Sequence, residues 1–351
     1  LLNFLINKKF FFFLAFISLL ALLSTVGFLC NNDSLSVGES GGTFRMISLQ
    51  IPKNLNFAGE EVPLHNPEVQ KILHREFVVS NYWHKQIRLF IQRSSFWFPL
   101  IEKELKAAGI PDDFKYLAIV ESGLYNNRSP KGAAGFWQFI PGTAVSYGLT
   151  INTEMDERLH VVKATRAACR YFKEAHKELK SWTLAAASFN SGINGLRNQI
   201  EKQKSDNYFD LILKKETSKY LFRALAAKTL MESPRRYGIR VSKSDRLKMP
   251  PITTLSVDTP VTHLQNLCDA YDCDLEVLYA FNPWISGFTL NIEGKQRLKV
   301  DLPSSKMMRK YHRLIATFGP VFIAPGNVET PSSFMDAKDS LIQLNDTTTR
   351  N

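Results

Sequence analysis

The chain has 351 residues, enough for two globular units plus extensions at roughly 150 residues per unit. Hydrophobic residues make up 44% and charged residues 22%, which excludes wholesale disorder and a multi-span membrane protein. Four cysteines are too few for a disulfide-built fold. Lys+Arg 44 against Asp+Glu 33 leaves a net charge of +11, which favours an anionic partner. The candidates of that class are nucleic acid, an acidic membrane face and an acidic polymer such as bacterial cell wall.

Lys8 and Lys9 precede an uncharged apolar run from Phe10 to Leu29, and the next charge is Asp33. A basic segment followed by an apolar one is the pattern of an export signal. The run exceeds the usual signal core of about 7–15 residues and reaches the roughly 20 that span a bilayer. Residues 1–30 therefore read as a cleaved signal peptide or a retained membrane anchor. Cys30 raises lipid modification as a third form, against which Leu29 stands where a small residue is wanted. All three forms place the rest of the chain outside the cytoplasm, which argues against nucleic acid.

Residues 31–65 open with a Ser-, Gly- and Asn-rich stretch and read as a linker. From Asn66 to about Tyr237 the patterning is helical. Pro67 can start a helix carrying Val69, Ile72, Leu73 and Phe77 at spacings of three or four. Trp97, Leu100, Ile101 and Leu105 repeat the stripe, and Gly109-Ile110-Pro111 ends it. A third helix starts at Pro111-Asp112-Asp113, with the acids in its first turn as the helix dipole prefers. Further helices are predicted from about Val161 to Lys180, Trp182 to Phe189 and Thr217 to Met231. Met249-Pro250-Pro251 marks a boundary. Beyond it the order is strand (Thr253–Val257), helix (His263–Tyr271), helix (Leu275–Phe281), then strand (Arg297–Leu302). Residues 304–351 are a tail without an assigned role.

Several familiar sites are missing from the sequence. There is no glycine-rich phosphate loop, and no two of the seven histidines lie four apart, which excludes a helical zinc-protease motif. His263, Cys268 and Cys273 fit metal-ligand spacing poorly; a Cys268–Cys273 disulfide is the better reading. Cys169, in an alanine-rich helix, reads as a small core residue. No cofactor or metal is expected.

Glu121 is the informative acid. Phe114, Leu117, Ala118 and Glu121 fall on one apolar helix face, which carries the carboxyl toward the core or a groove wall. Gly123 ends the helix, so the negative dipole terminus adds to desolvation and both raise the pKa. A carboxyl still protonated near neutrality suits general-acid catalysis; a buried glutamate bonded to nearby backbone would give the same pattern.

Further motifs follow it: Ser129 through Phe139 with Gly135 and Gln138, then Asp156-Glu157-Arg158, Ala187-Ser188-Phe189-Asn190-Ser191-Gly192, Glu216-Thr217 and Tyr220. With Glu121-Ser122, this succession resembles the lytic transglycosylases of goose-lysozyme-like fold, in their membrane-bound murein type D branch. The resemblance covers roughly residues 68–240. It implies a mainly α, lysozyme-like catalytic domain over 66–248, with Glu121 as the catalytic acid. It also implies substrate-binding roles for Ser129, Gln138, Asn190 and Tyr220. Phe189 and Ser191 depart from the usual tyrosine and alanine. Trp137 is either core or a sugar-stacking platform.

Residues 252–303 resemble a LysM-like wall-binding module, a small α+β domain, but without its glycine-rich opening and with residues 285–294 as an insertion. The implied partner is the peptidoglycan glycan strand, with the N-terminal segment meeting the membrane and protein partners undefined. The implied reaction cleaves the β-1,4 bond between N-acetylmuramic acid and N-acetylglucosamine. A hydrolytic muramidase and a silent wall-binding protein are the alternatives. Asp156 and Glu157 read as a structural ion-pair cluster, and Glu216 as an acid placed by a helix dipole.

Overall fold

The bundle owes its packing to small residues placed where helices meet. In the computed structural model, residues 51–303 are described, apart from 83, 244–245, 247–251, 272 and 293–296. Residues 1–50, on which the expected signal peptide or anchor and Cys30 fall, and residues 304–351 lie outside the described residues. A two-residue hairpin, β1 (Asn56–Phe57) with β2 (Glu60–Glu61), precedes the helices. Helices α1 (Pro67–Tyr82) and α2 (His84–Ala108) follow. The third predicted helix starts as a 3-10 turn, Asp112–Phe114, and becomes α3 over Lys115–Ser122. Then come α4 (Pro141–Ser146), α5 (Val161–Leu179), α6 (Trp182–Ser191), α7 (Ile193–Gln203) and α8 (Lys215–Glu232). None of the described helices is long and apolar enough to cross a membrane.

The short α3 lies against α8, which also packs on α1 and α6, while α5 packs on α2 and α6. Ala118 on α3, Ala185, Ala186 and Ala187 on α6, and Ala224 and Ala226 on α8 are fully buried. With no bulk beyond Cβ, these residues let neighbouring backbones approach closely. Larger side chains such as Phe77, Phe114, Leu117 and Phe172 fill the space between.

The linker expected over 31–65 needs correction at its end. Leu55, Phe57 and Val62 are buried in the bundle core, and the Phe57 ring lies 5.4 Å from that of Phe114. The segment also caps α6. Glu60 accepts hydrogen bonds from Thr183 N (2.9 Å), Ser181 Oγ (2.8 Å), Thr183 Oγ1 (2.7 Å) and Trp182 N. Burial works against the charge, yet these donors hold the Glu60 carboxyl below the usual carboxylate range. Glycine- and serine-rich composition concealed a segment whose few apolar residues all point inward.

The predicted strand–helix–helix–strand order is observed as β3 (Ile252–Val257), α9 (Leu264–Ala270), α10 (Leu275–Phe281) and β4 (Leu298–Pro303). The strands pair antiparallel, with Ile252 opposite Pro303 and Val257 opposite Leu298. Beneath them lies a second apolar core that includes Leu264, Leu278, Trp284, Ile285 and Val300. Ala134, Met155 and Leu159, from earlier in the chain, are part of it. All described residues lie within one compact unit, Leu49–Asn351.

Candidate active site

Helix α3 carries Glu121 on its last turn. Gly123 then takes the left-handed conformation (φ 60°) and donates its N–H to Ile119 O at 2.8 Å, closing the helix. A Cβ at Gly123 would come within 2.7 Å of the Phe90 ring, so the position tolerates only hydrogen. This tight stop aims the Glu121 carboxyl at α8 before the chain turns away.

There it meets Tyr220, whose hydroxyl donates to Glu121 Oε1 at 2.6 Å. Tyr220 is fully buried, and burial and the adjacent carboxyl keep its hydroxyl protonated. Burial raises Glu121 to about 7; the Tyr220 hydrogen bond opposes this, the charge of Glu216 adds to it, and Arg223 subtracts. Glu216 stands in the first turn of α8, where a dipole favours it, and Arg223 Nη1 holds it at 2.5 Å. The arginine, which also approaches Glu76, was not singled out in the sequence; its spacing of seven from Glu216 on one helix was the available signal. Glu121 is thus a carboxyl that titrates near neutrality beside a neutral donor.

Asn190, at the end of α6, accepts from Thr217 Oγ1 at 2.9 Å. Thr217 lies one helical turn before Tyr220, so these bonds join α6, α8 and α3 around one point. Ser129 and Gln138 belong instead to the 124–139 loop. Ser129 Oγ accepts from Ala133 N at 3.0 Å, and Ser129 makes no hydrogen bond to Glu121 among the described residues. Gln138 adopts a left-handed backbone (φ 46°), with its amide donating to Gly135 O at 2.7 Å and Asn127 Oδ1 at 3.0 Å. Ser122, beside the acid, reaches across to this loop: its Oγ lies 3.1 Å from Ala118 O and 3.0 Å from Phe136 O. That tie was not anticipated, although the adjacency of Ser122 to Glu121 offered a hint.

Trp137 requires a correction. It is fully buried, its Nε1 donates to Thr165 Oγ1 at 2.9 Å, and Phe172 and Phe189 meet it edge-on at 5.7 and 6.0 Å. With its faces packed and its N–H satisfied, the ring offers no platform for a sugar. Phe189, the departure from tyrosine, packs among Trp137, Phe139 and Tyr171 with no hydroxyl to satisfy.

The loop is held from behind by the Asp156–Arg158 cluster. Asp156 binds Arg158 through Nε (2.9 Å) and Nη2 (2.8 Å) and Arg128 through Nη1 (2.6 Å). Arg158 Nη1 donates to Gly132 O (2.7 Å) and Phe139 O (3.0 Å). A Cβ at Gly135 would lie 1.9 Å from Arg158 O, so glycine there permits the close approach. Glu157 pairs with Lys163 and accepts from Thr150 N at 2.9 Å. These acids are engaged in structure, as their sequence neighbourhood indicated.

The described residues contain no group of three His, Cys, Asp or Glu able to hold a metal ion. Cys268 and Cys273 are thiols, not joined in the disulfide that the sequence favoured over a metal site, and burial raises Cys268 to about 12. Cys169 is a buried free thiol, also raised by burial to about 12.

Residues 98–212 match the model of the transglycosylase SLT domain. Over 262 residues the chain is 26% identical to the membrane-bound lytic murein transglycosylase D of Escherichia coli strain K12, and equally to that of Escherichia coli O6:H1. The matched segment is 72% of this chain and 57% of each relative, so the chain spans little more than half the length of these curated proteins. The matched residues run from α2 to the segment before α8 and include Glu121, Ser129, Gln138 and Asn190. Through this segment the chain is similar to the transglycosylase SLT domain family.

Proposed function

We propose that this protein is a peptidoglycan lytic transglycosylase that cleaves the MurNAc-β-1,4-GlcNAc bond and leaves 1,6-anhydro-MurNAc ends. The observation that carries the reading is the Glu121–Tyr220 pair at 2.6 Å, with Glu121 raised by burial to about 7. Glu121, protonated, donates to the glycosidic oxygen as the bond to C1 breaks. The N-acetyl carbonyl of the same sugar supports C1 as positive charge develops. Glu121, now a carboxylate, accepts the proton of the C6 hydroxyl while that oxygen closes on C1. One group serves as acid and then as base, and the Tyr220 hydroxyl steadies the carboxylate between the two steps.

An inverting hydrolase needs a second carboxylate to activate water, about 6.5–9.5 Å from the acid. Glu216 is the acid whose charge bears on Glu121, and Arg223 engages it. The C6 hydroxyl, held on the reacting sugar at high effective concentration, is then the favoured nucleophile. Substrate-binding roles for Ser129, Gln138 and Asn190 rest on the resemblance of their motifs, and the Thr217–Asn190 hydrogen bond supports the last by tying Asn190 to the helix that carries Tyr220. On the same reading the protein works in the cell envelope, attached through its N-terminal segment, and residues 252–303 act as a LysM-like module on the wall. The strand–helix–helix–strand order supports that last assignment.

Mass spectrometry of soluble products from purified cell wall tests the reaction. Fragments one water lighter than hydrolysis products are expected, without ¹⁸O from labelled water. Reducing-end fragments carrying ¹⁸O would assign the protein to the hydrolytic muramidases instead.

A further inference from the structure

The sequence sets residues 285–294 apart as an insertion, and the structure gives residues 285–291 of it a task. Ser286 N and Gly287 N donate to Glu154 O at 2.7 and 3.2 Å. The Glu154 carboxylate accepts from Thr289 Oγ1 (2.8 Å), Asn291 Nδ2 (2.6 Å) and Asn291 N (2.7 Å). Met155 bridges to Ile285 in antiparallel fashion, and Asp156 N donates to Trp284 O at 2.8 Å. A Cβ at Gly287 would lie 3.2 Å from Glu154 Cα, a sign of how closely the two backbones approach. His160 stacks on Trp284 with ring centroids 5.7 Å apart.

The residue that receives this contact is the one that governs the loop. Asp156 gives its backbone to Trp284 and its carboxylate to Arg158 and Arg128. Arg158 in turn binds the carbonyls of Gly132 and Phe139, on either side of the segment that holds Gln138. Ala134, from that same segment, is fully buried in the second core together with Met155, Trp284 and Ile285. The contacts run without a break from the 285–291 segment through Glu154–Arg158 to the loop beside Glu121.

We propose that the C-terminal module is a fixed support of the saccharide groove, and that Glu154 is the positioning residue that fixes it. The inference rests on the transglycosylase reading for its kinetic consequence, but not for its structural one. A carboxylate that accepts three donors from one short segment determines where that segment sits. Once seated, the segment confines Asp156, and the arginines pass that restraint to the carbonyls of the groove loop. Substrate alignment depends on the restraint, whereas proton donation by Glu121 does not. The module therefore contributes to productive binding of a glycan strand even where it does not itself touch the wall.

The test uses the full chain with Glu154→Ala, Glu154→Gln and the milder Asn291→Ala. Amide hydrogen exchange and steady-state kinetics on soluble, uncross-linked glycan strands are read side by side. Glu154→Ala should speed exchange at least tenfold across both 284–291 and 129–139, raise KM about tenfold, and leave the pH profile of kcat in place. Glu154→Gln, which keeps one acceptor oxygen, should recover part of both effects, and Asn291→Ala should show a smaller change in the same direction. Faster exchange confined to 284–291, with KM unchanged, would overturn the proposal and leave the insertion as a local packing element. If the wild-type protein shows no turnover, the transglycosylase reading fails while the exchange data still decide the coupling.

Discussion

Two acids within one chain, Glu121 half-buried and Asp156 buried, show how a fold decides what a carboxyl is for. Glu121 and Asp156 both sit in surroundings that penalise charge, yet they titrate in opposite directions. Burial raises Glu121 to about 7, because its direct partner, the Tyr220 hydroxyl, is neutral and only partly offsets the lost hydration. Burial would raise Asp156 as well, but Arg158 and Arg128 surround it and hold it below the usual carboxylate range. Desolvation opposes the charge in both places, and the charge of the partner decides the outcome. One acid is left free to give up a proton; the other is committed to holding a loop.

The sharpest way to break the comparison is to remove each proton-binding group in turn. Glu121→Gln should lower wall digestion by about 10²–10⁴-fold, because the amide keeps the shape and loses the proton. Retention of more than about a tenth of the activity in a turbidity or product-release assay would exclude Glu121 as the general acid. The same variant has a stability signature of known sign. With the folded-state value raised from 4.5 to about 7, the protonated carboxyl stabilises the fold fully below about 4.5, and that contribution is lost as pH rises to about 7. Glu121→Gln should therefore match the wild-type Tm at pH 4 and exceed it at pH 8.

Asp156→Asn should act on stability before activity, with a loss of about 3–5 kcal/mol in denaturant unfolding, because two arginines lose their buried counter-ion. Here the pH dependence runs the other way. The Asp156 contribution is present above its ordinary value of 3.8 and is lost as pH falls through the depressed folded-state value. A variant as stable as wild type at pH 7 would show that the cluster does not hold the loop.

Tyr220→Phe should give a smaller, diagnostic change. Its hydroxyl favours the ionised form of Glu121, so removing it should move the alkaline limb of the kcat profile upward. A limb that moves downward would show that Tyr220 does not stabilise the carboxylate. The smallest effect is expected at Trp137. Trp137→Phe should cost about 1–2 kcal/mol through the lost Thr165 hydrogen bond and leave KM for glycan strands within about twofold. A large rise in KM with little loss of stability would return the indole to the saccharide groove.

Much of the bundle was legible because the apolar stripes of α1, α2, α5 and α8 repeat at helical spacing, and Pro67 and Gly109 punctuate them. Helices α4 and α7 escaped notice for the same reason. The first has a single buried residue, Ala144, and the second a single one, Leu196, so neither presents a stripe. The 51–62 segment was misread because a few apolar residues among polar ones and turn formers look like a linker until a core is there to receive them.

By itself the sequence determined the helical class, the place of Glu121 on an apolar face and the order of the motifs, since each depends on local spacing along one element. Tertiary structure decided the rest. Tyr220 reaches Glu121 across 99 positions of chain, Ser181 and Thr183 find Glu60 from more than 120 away, and Glu154 meets Asn291 across 137. Whether Trp137 faced a sugar or the core, and whether an acid was free or locked, depended on which distant side chains the fold brought beside it. Residue spacing along an element encodes its faces, but the partner across the gap is fixed only when the elements pack.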